Sequence, residues 1–245
     1  MRNSALLLAS LGAINASAAG AAKPGAYSRS PSPSEVLEET WIEQKTTAVI
    51  GAPYMDFGSA ATVQRSTAVI GARGENERTG AAYVFNRSGG QWIEAQRIAA
   101  DDGVVGDEFG YRAVLADTTL IVTAFNATVE GSPFQGAAYV YQYQAGEWAQ
   151  SQKLVAADGA LFDDFGAAIA MDGDSAIIGA IGTDTMSGAA YVFERVGDTW
   201  SQSQRLDADD GAAYDDFGVS AAIKREVAMI GADNAMIDGV GRGAV

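Results

Sequence analysis

From Trp41 onward, short runs of alternating apolar and polar residues are separated by turn residues. WAQSQKLV, from Trp148 to Val155, alternates large and polar side chains, the pattern of a half-buried strand. The run before it, GAAYVYQY from Gly136, is β-branched and aromatic over a strand's length, and Gln144–Glu147 turns between the two. FGAAIAM from Phe165 reads as a third strand. Asp172-Gly173-Asp174 turns it into a fourth, SAIIGA, and Asp-Gly between apolar runs is a strong hairpin signal. One unit earlier, the same pattern predicts strands at Ala81–Asn86, Trp92–Ile98, Tyr111–Leu115 and Leu120–Thr123.

These strands recur. GAAYVF at Gly80–Phe85 returns as GAAYVY at Gly136–Tyr141 and as GAAYVF at Gly188–Phe193. Phe57-Gly58, Phe109-Gly110, Phe165-Gly166 and Phe217-Gly218 keep the same beat, as do Trp41, Trp92, Trp148 and Trp200. Three markers on one period define a repeat, and four strands per repeat of about fifty residues predict an all-β chain of β-propeller blades. The units fall near 41–79, 80–135, 136–187 and 188–245. In the first, the acidic loop is missing and TAVIGAP (Thr47–Pro53) intervenes, with a near-copy at Thr67–Ala72. GRGAV, Gly241–Val245, stands where another GAAYVF strand is due, so an incomplete or open propeller is expected. Residues repeated in every blade fill the same core slot, which assigns the Phe and Trp markers to packing. The Gly after each Phe is expected to serve a bend or a close strand approach.

Met1–Ala22 has a different character. Arg2, the apolar run Ser4–Ile14 and the A-x-A sites at 16–18 and 19–21 predict a secretory signal, hence a secreted or cell-surface protein. Lys23–Glu39, with Pro24, Pro31 and Pro33 among serines, reads as part of a linker over 23–40. No stretch of the sequence is apolar for eighteen residues, so no membrane-spanning helix is predicted.

Composition removes several function classes. The 245-residue chain carries a net charge of −15, which opposes binding to nucleic acid or an anionic membrane. It contains no Cys and no His, so thiol chemistry, zinc-thiolate sites and histidine bases are excluded. The candidate chemistry lies in acidic loops: Asp101, Asp102, Asp107 and Glu108; Asp158, Asp163 and Asp164; Asp207, Asp209, Asp210, Asp215 and Asp216. Their shared frame is D-G-x-x-x-D-[DE]-F-G. Two carboxylates flanking a Gly turn can begin a calcium cage, although the spacing is not that of an EF-hand. The same residues also suit ordinary Asp-Gly turn chemistry with solvated acids. Both readings stay open. Every conspicuous acid belongs to the repeated frame, so no catalytic residue stands apart and no enzyme is predicted; a propeller glycoside hydrolase or lyase is the remaining catalytic alternative.

These markers resemble the bacterial FG-GAP repeat family, related to the propeller of integrin α-chains. FG stands at all four Phe-Gly positions. GAP is complete at Gly51-Ala52-Pro53 and shortened to Gly71-Ala72, Gly179-Ala180 and Gly231-Ala232. The resemblance spans about Trp41 to Val245. It implies a propeller module of secreted or surface proteins, used for adhesion or ligand binding and sometimes holding calcium in its loops. It implies a protein or glycan ligand at the loop face, with a calcium-dependent, integrin-like adhesion module as the alternative. Unclosed edges are expected to favour self-association.

Overall fold

Short strands joined by tight turns pair with their sequence neighbours, and the architecture follows from how far that pairing runs before a long loop breaks it. The computed structural model describes residues 5–10, 41–46, 54–225, 227–237 and 240–245. Strand β1 (Ala5–Ser10) pairs antiparallel with β2 (Trp41–Thr46). The remainder of the expected signal and linker, and the TAVIGAP segment, lie outside the described residues.

Three four-stranded antiparallel sheets follow, each in sequence order. The first joins β3 (Phe57–Gln64), β4 (Thr67–Ala72), β5 (Ala81–Ser88) and β6 (Gln91–Ile98). The second joins β7 (Phe109–Ala116), β8 (Thr119–Ala124), β9 (Ala137–Gln144) and β10 (Glu147–Leu154). The third joins β11 (Phe165–Asp172), β12 (Ser175–Ala180), β13 (Ala189–Val196) and β14 (Thr199–Leu206). A fourth blade begins with β15 (Phe217–Lys224) and β16 (Val227–Ala232), and Ala244 pairs with Ala232 as Ala189 pairs with Ala180. A short ribbon, β17 (Met236–Ile237) with β18 (Val240–Gly241), lies between them in sequence. The chain is an all-β, open propeller. The predicted strands are all present, with ends within two residues of those expected.

The blades are cut half a period away from units counted at GAAYVF. Each begins at Phe-Gly and ends with the Trp strand, because GAAYVF pairs back onto the apolar strand before it. The acidic loop after the Trp strand carries the chain to the next blade. In the three complete blades the two-residue hairpin turns (65–66, 89–90, 117–118, 145–146, 173–174 and 197–198) therefore lie at one end. The longer loops 73–80, 99–108, 125–136, 155–164, 181–188 and 207–216 share the other.

Blades meet through their first strands, and the glycines make this approach possible. Gly80, Gly136 and Gly188 bridge in parallel to Phe109, Phe165 and Phe217 of the following blade. A Cβ on Gly80 would stand 2.1 Å from the Phe109 carbonyl oxygen, and one on Gly110 would stand 2.3 Å from that of Ala81. The Phe rings turn inward: Phe109 and Phe165 are fully buried, each edge-on to two aromatic rings of its own GAAYV strand. Trp92, Trp148 and Trp200 are buried as well, as expected of core residues. Apolar side chains of one blade pack on the next, Val69 and Val84 with Phe109 and Tyr139, then Ile121 and Val140 with Phe165 and Tyr191. On the outside, the Gln96 side chain bonds both the N–H and the carbonyl of Trp148 at 2.8 Å, and Gln152 does the same to Trp200. Two four-residue turns, α1 (Glu75–Arg78) and α2 (Thr183–Met186), are the helical elements among the described residues, and both contain left-handed residues.

Candidate functional site

The loop end is built from pairs of loops strapped together. The N–H of Glu108, Asp164 and Asp216 donates to the carbonyl of Arg78, Phe134 and Met186 respectively. Phe162 N–H donates to Pro133 and Tyr214 N–H to Thr185. The strapped positions have left-handed backbones, with φ of 67°, 56° and 64° at Arg78, Phe134 and Met186 and of 65° and 72° at Phe162 and Tyr214. Side chains with a Cβ rarely adopt this region, so it persists only where the surroundings fix it.

The acidic residues take three places in this frame. Asp107, Asp163 and Asp215 are buried and close their loops, each accepting a backbone N–H three residues earlier, at Val104, Ala160 and Ala212. Burial pushes the Asp107 and Asp163 carboxyls up. Asp102 and Asp158 instead pair with cations of the next Trp strand: Lys153 Nζ lies 2.7 Å from Asp102, and Arg205 Nη1 lies 2.5 Å from Asp158. Partial burial pushes both carboxyls up, but the bonded Lys153 ammonium and Arg205 guanidinium help to hold them below the ordinary range. Arg205 also binds Asp184 and Asp207. Asp101, Asp209 and Asp210 face solvent.

The third place is shared by Glu108, Asp164 and Asp216. Glu108 is buried between Arg73 and Arg78. Asp216 accepts from Asn234 Nδ2 at 2.7 Å. Asp164 has no side-chain partner among the described residues; burial, and then Asp163, push its carboxyl up to about 6. Among the described residues no three acids converge where a metal could be held. Backbone N–H groups and protein cations hold many of these carboxylates, whereas one buried oxygen each of Asp215 and Asp216 has no hydrogen-bond partner.

Two features escape a reading of the sequence by acids alone. One is the cation five residues after Trp92, Trp148 and Trp200 (Arg97, Lys153 and Arg205), each of which meets an acid of a loop. Glu75 takes the place of the missing acidic loop in the first blade, bonding Arg97 and the Tyr83 hydroxyl. The other is a set of exposed large apolar side chains at the loop end: Tyr54, Val105, Phe134, Phe162, Met186 and Tyr214. Tyr54, Phe162 and Tyr214 hold equivalent positions, two residues before the loop's last acid; Gly106 fills that position in the remaining loop.

The model of the FG-GAP repeat matches residues 41–85, 92–141, 148–193 and 200–245. Each of the first three matches runs from a Trp strand into the next GAAYVF or GAAYVY strand, so one family repeat contributes to two successive blades and interlocks them. A search of curated proteins found no match. Repeats of this kind suggest a β-propeller interaction module and are typical of extracellular or surface proteins. No helix among the described residues is long and apolar enough to cross a membrane. With four matched repeats covering most of its length, the chain belongs to the FG-GAP repeat family.

Proposed function

We propose that the chain is a secreted or surface-displayed, non-catalytic binding module that engages a protein ligand with the loop end of its propeller. One observation carries this reading. Phe134, Phe162, Met186 and Tyr214 stay exposed at that end, on left-handed backbone that cross-loop hydrogen bonds hold in place. Contiguous exposed apolar surface marks interaction sites, and rigid presentation lowers the entropy cost of binding. Peptide-display selection against the whole chain tests it. Selected ligands should lose binding to a Phe134→Ser, Tyr214→Ser double variant and keep it on Val196→Ser, which alters an exposed residue beside the hairpin turns. Ligands indifferent to the loop-end variant would refute the proposal.

A calcium-dependent adhesion form has support in the last loop, where Asp215 Oδ1 and Asp216 Oδ1 are buried without a hydrogen-bond partner. A cation there would satisfy both. Millimolar calcium should then raise Tm by the binding linkage, and Asp215→Asn should abolish the rise. A melting curve unmoved by calcium and by chelator would remove this form and leave the first reading intact.

A further inference from the structure

Phe134 and Phe162 stack face to face at the loop end, with ring centroids 5.2 Å apart and planes 16° from parallel. Both are exposed, 41% and 57%. A stacked aromatic pair in water, on backbone that favours glycine, is an uncovered platform. Its neighbour Asp164, whose N–H is bonded to the Phe134 carbonyl, is the one of the three equivalent acids without a side-chain partner among the described residues. We propose that this platform and Asp164 form a recognition site for an arginine side chain presented by a protein partner. The inference rests on the loop-end reading above.

The chain supplies two internal templates for the assignment. In the preceding blade junction, Glu108 stands in Asp164's place and Arg78 in Phe134's, and the arginine folds onto the acid; Arg73 completes the pairing. At the next junction Phe134 stands in the place of that internal cation, so the carboxylate is left for an external one. The second template is the stack of Tyr111 on Phe125, with centroids 4.5 Å apart. There the guanidinium groups of Arg112 and Arg73 lie 4.4 and 5.5 Å from the Tyr111 centroid. The pair formed by Phe134 and Phe162 is a like platform without its arginine.

Charge selects the same ligand. The chain has a net charge of −15, and Glu130 lies on the same loop as Phe134. A planar guanidinium stacks on aromatic faces and can offer two donors to a carboxylate, whereas an ammonium is a compact, strongly hydrated point charge. Arginine is therefore preferred to lysine. The partly buried Asp164 carboxylate gains most from it, since charge-assisted hydrogen bonds strengthen away from water.

Fluorescence anisotropy with labelled peptides of four Gly-Arg-Ser repeats, and with Lys and Gln versions, tests this on the full chain. The arginine peptide should bind about tenfold more tightly than the glutamine one and measurably more tightly than the lysine one. Asp164→Asn should weaken the arginine peptide about tenfold, and Phe162→Gly severalfold. Both variants should fold: the first removes a buried charge, and Gly106 already occupies the second position in the preceding loop. Glu147→Gln, beside a hairpin turn, should change nothing. Absent arginine binding, equal binding of the three peptides, or equal losses in Asp164→Asn and Glu147→Gln would overturn the proposal. Selected ligands that need the loop end but bind without arginine would defeat this inference and spare the broader reading. Ligands indifferent to the loop end would defeat both.

Discussion

At the residue scale, each repeated position has a definable physical task. The Phe-Gly glycines show this best, because two left-handed glycines can be compared. Gly110 (φ 93°) faces the Ala81 carbonyl, whereas Gly146 (φ 96°) has open space around its missing Cβ. Gly146→Ala should cost about 1 kcal/mol of backbone strain. Gly110→Ala adds a backbone collision and should cost about 3 kcal/mol or more. Equal costs by chemical denaturation would show that the blades do not approach there. Asp164 makes a second prediction. Its folded pKa of about 6 lies above the ordinary 3.8, so the folded state holds the proton more tightly and stability falls as the pH rises through that window. Asp164→Asn should therefore raise Tm clearly at pH 7.5 and less at pH 4.5. A gain of the same size at both pH values would mean that the carboxylate is not desolvated.

At the element scale, stability resides in the joints between blades. Trp148 is 7% exposed, its ring packed in the core and its backbone held by Gln96. Trp148→Ala should cost about 3–5 kcal/mol, as for other large buried aromatics. If ligand binding fell while Tm held, the tryptophan would be a surface contact instead. The strands themselves were legible in the sequence, since period-two alternation and Asp-Gly or Ala-Gly turns are local signals. The phase of the blades was not: which long loop closes a sheet and which leaves it depends on pairing between distant segments. The partners of the acids were hidden for the same reason. Asp102 and Lys153 are 51 residues apart in sequence and meet because one blade docks on the next. Exposure of Phe162 and Tyr214 could not be read either, since an aromatic residue beside an acidic turn usually packs inward.

At the scale of the whole molecule, a repeat array needs a neighbour for every apolar face. Met229 in β16 is 57% exposed, whereas its equivalents Val69, Ile121 and Ile177 in the complete blades are buried. Among the described residues, the outer edge of β16 meets Ala244 at Ala232. Uncovered strand edges invite pairing with another chain. We therefore propose concentration-dependent self-association of the 245-residue chain, measurable by sedimentation and reduced in Met229→Lys. A monomer at every concentration would dismiss it.

The proposed ligand-binding surface is the loop end of the propeller. Hydrogen exchange of the chain with and without a display-selected peptide reads this directly. Slowed exchange should be confined to loops 125–136, 155–164, 181–188 and 207–216. Protection centred on the hairpin turns at 89–90, 145–146 and 197–198, with those loops unchanged, would contradict it.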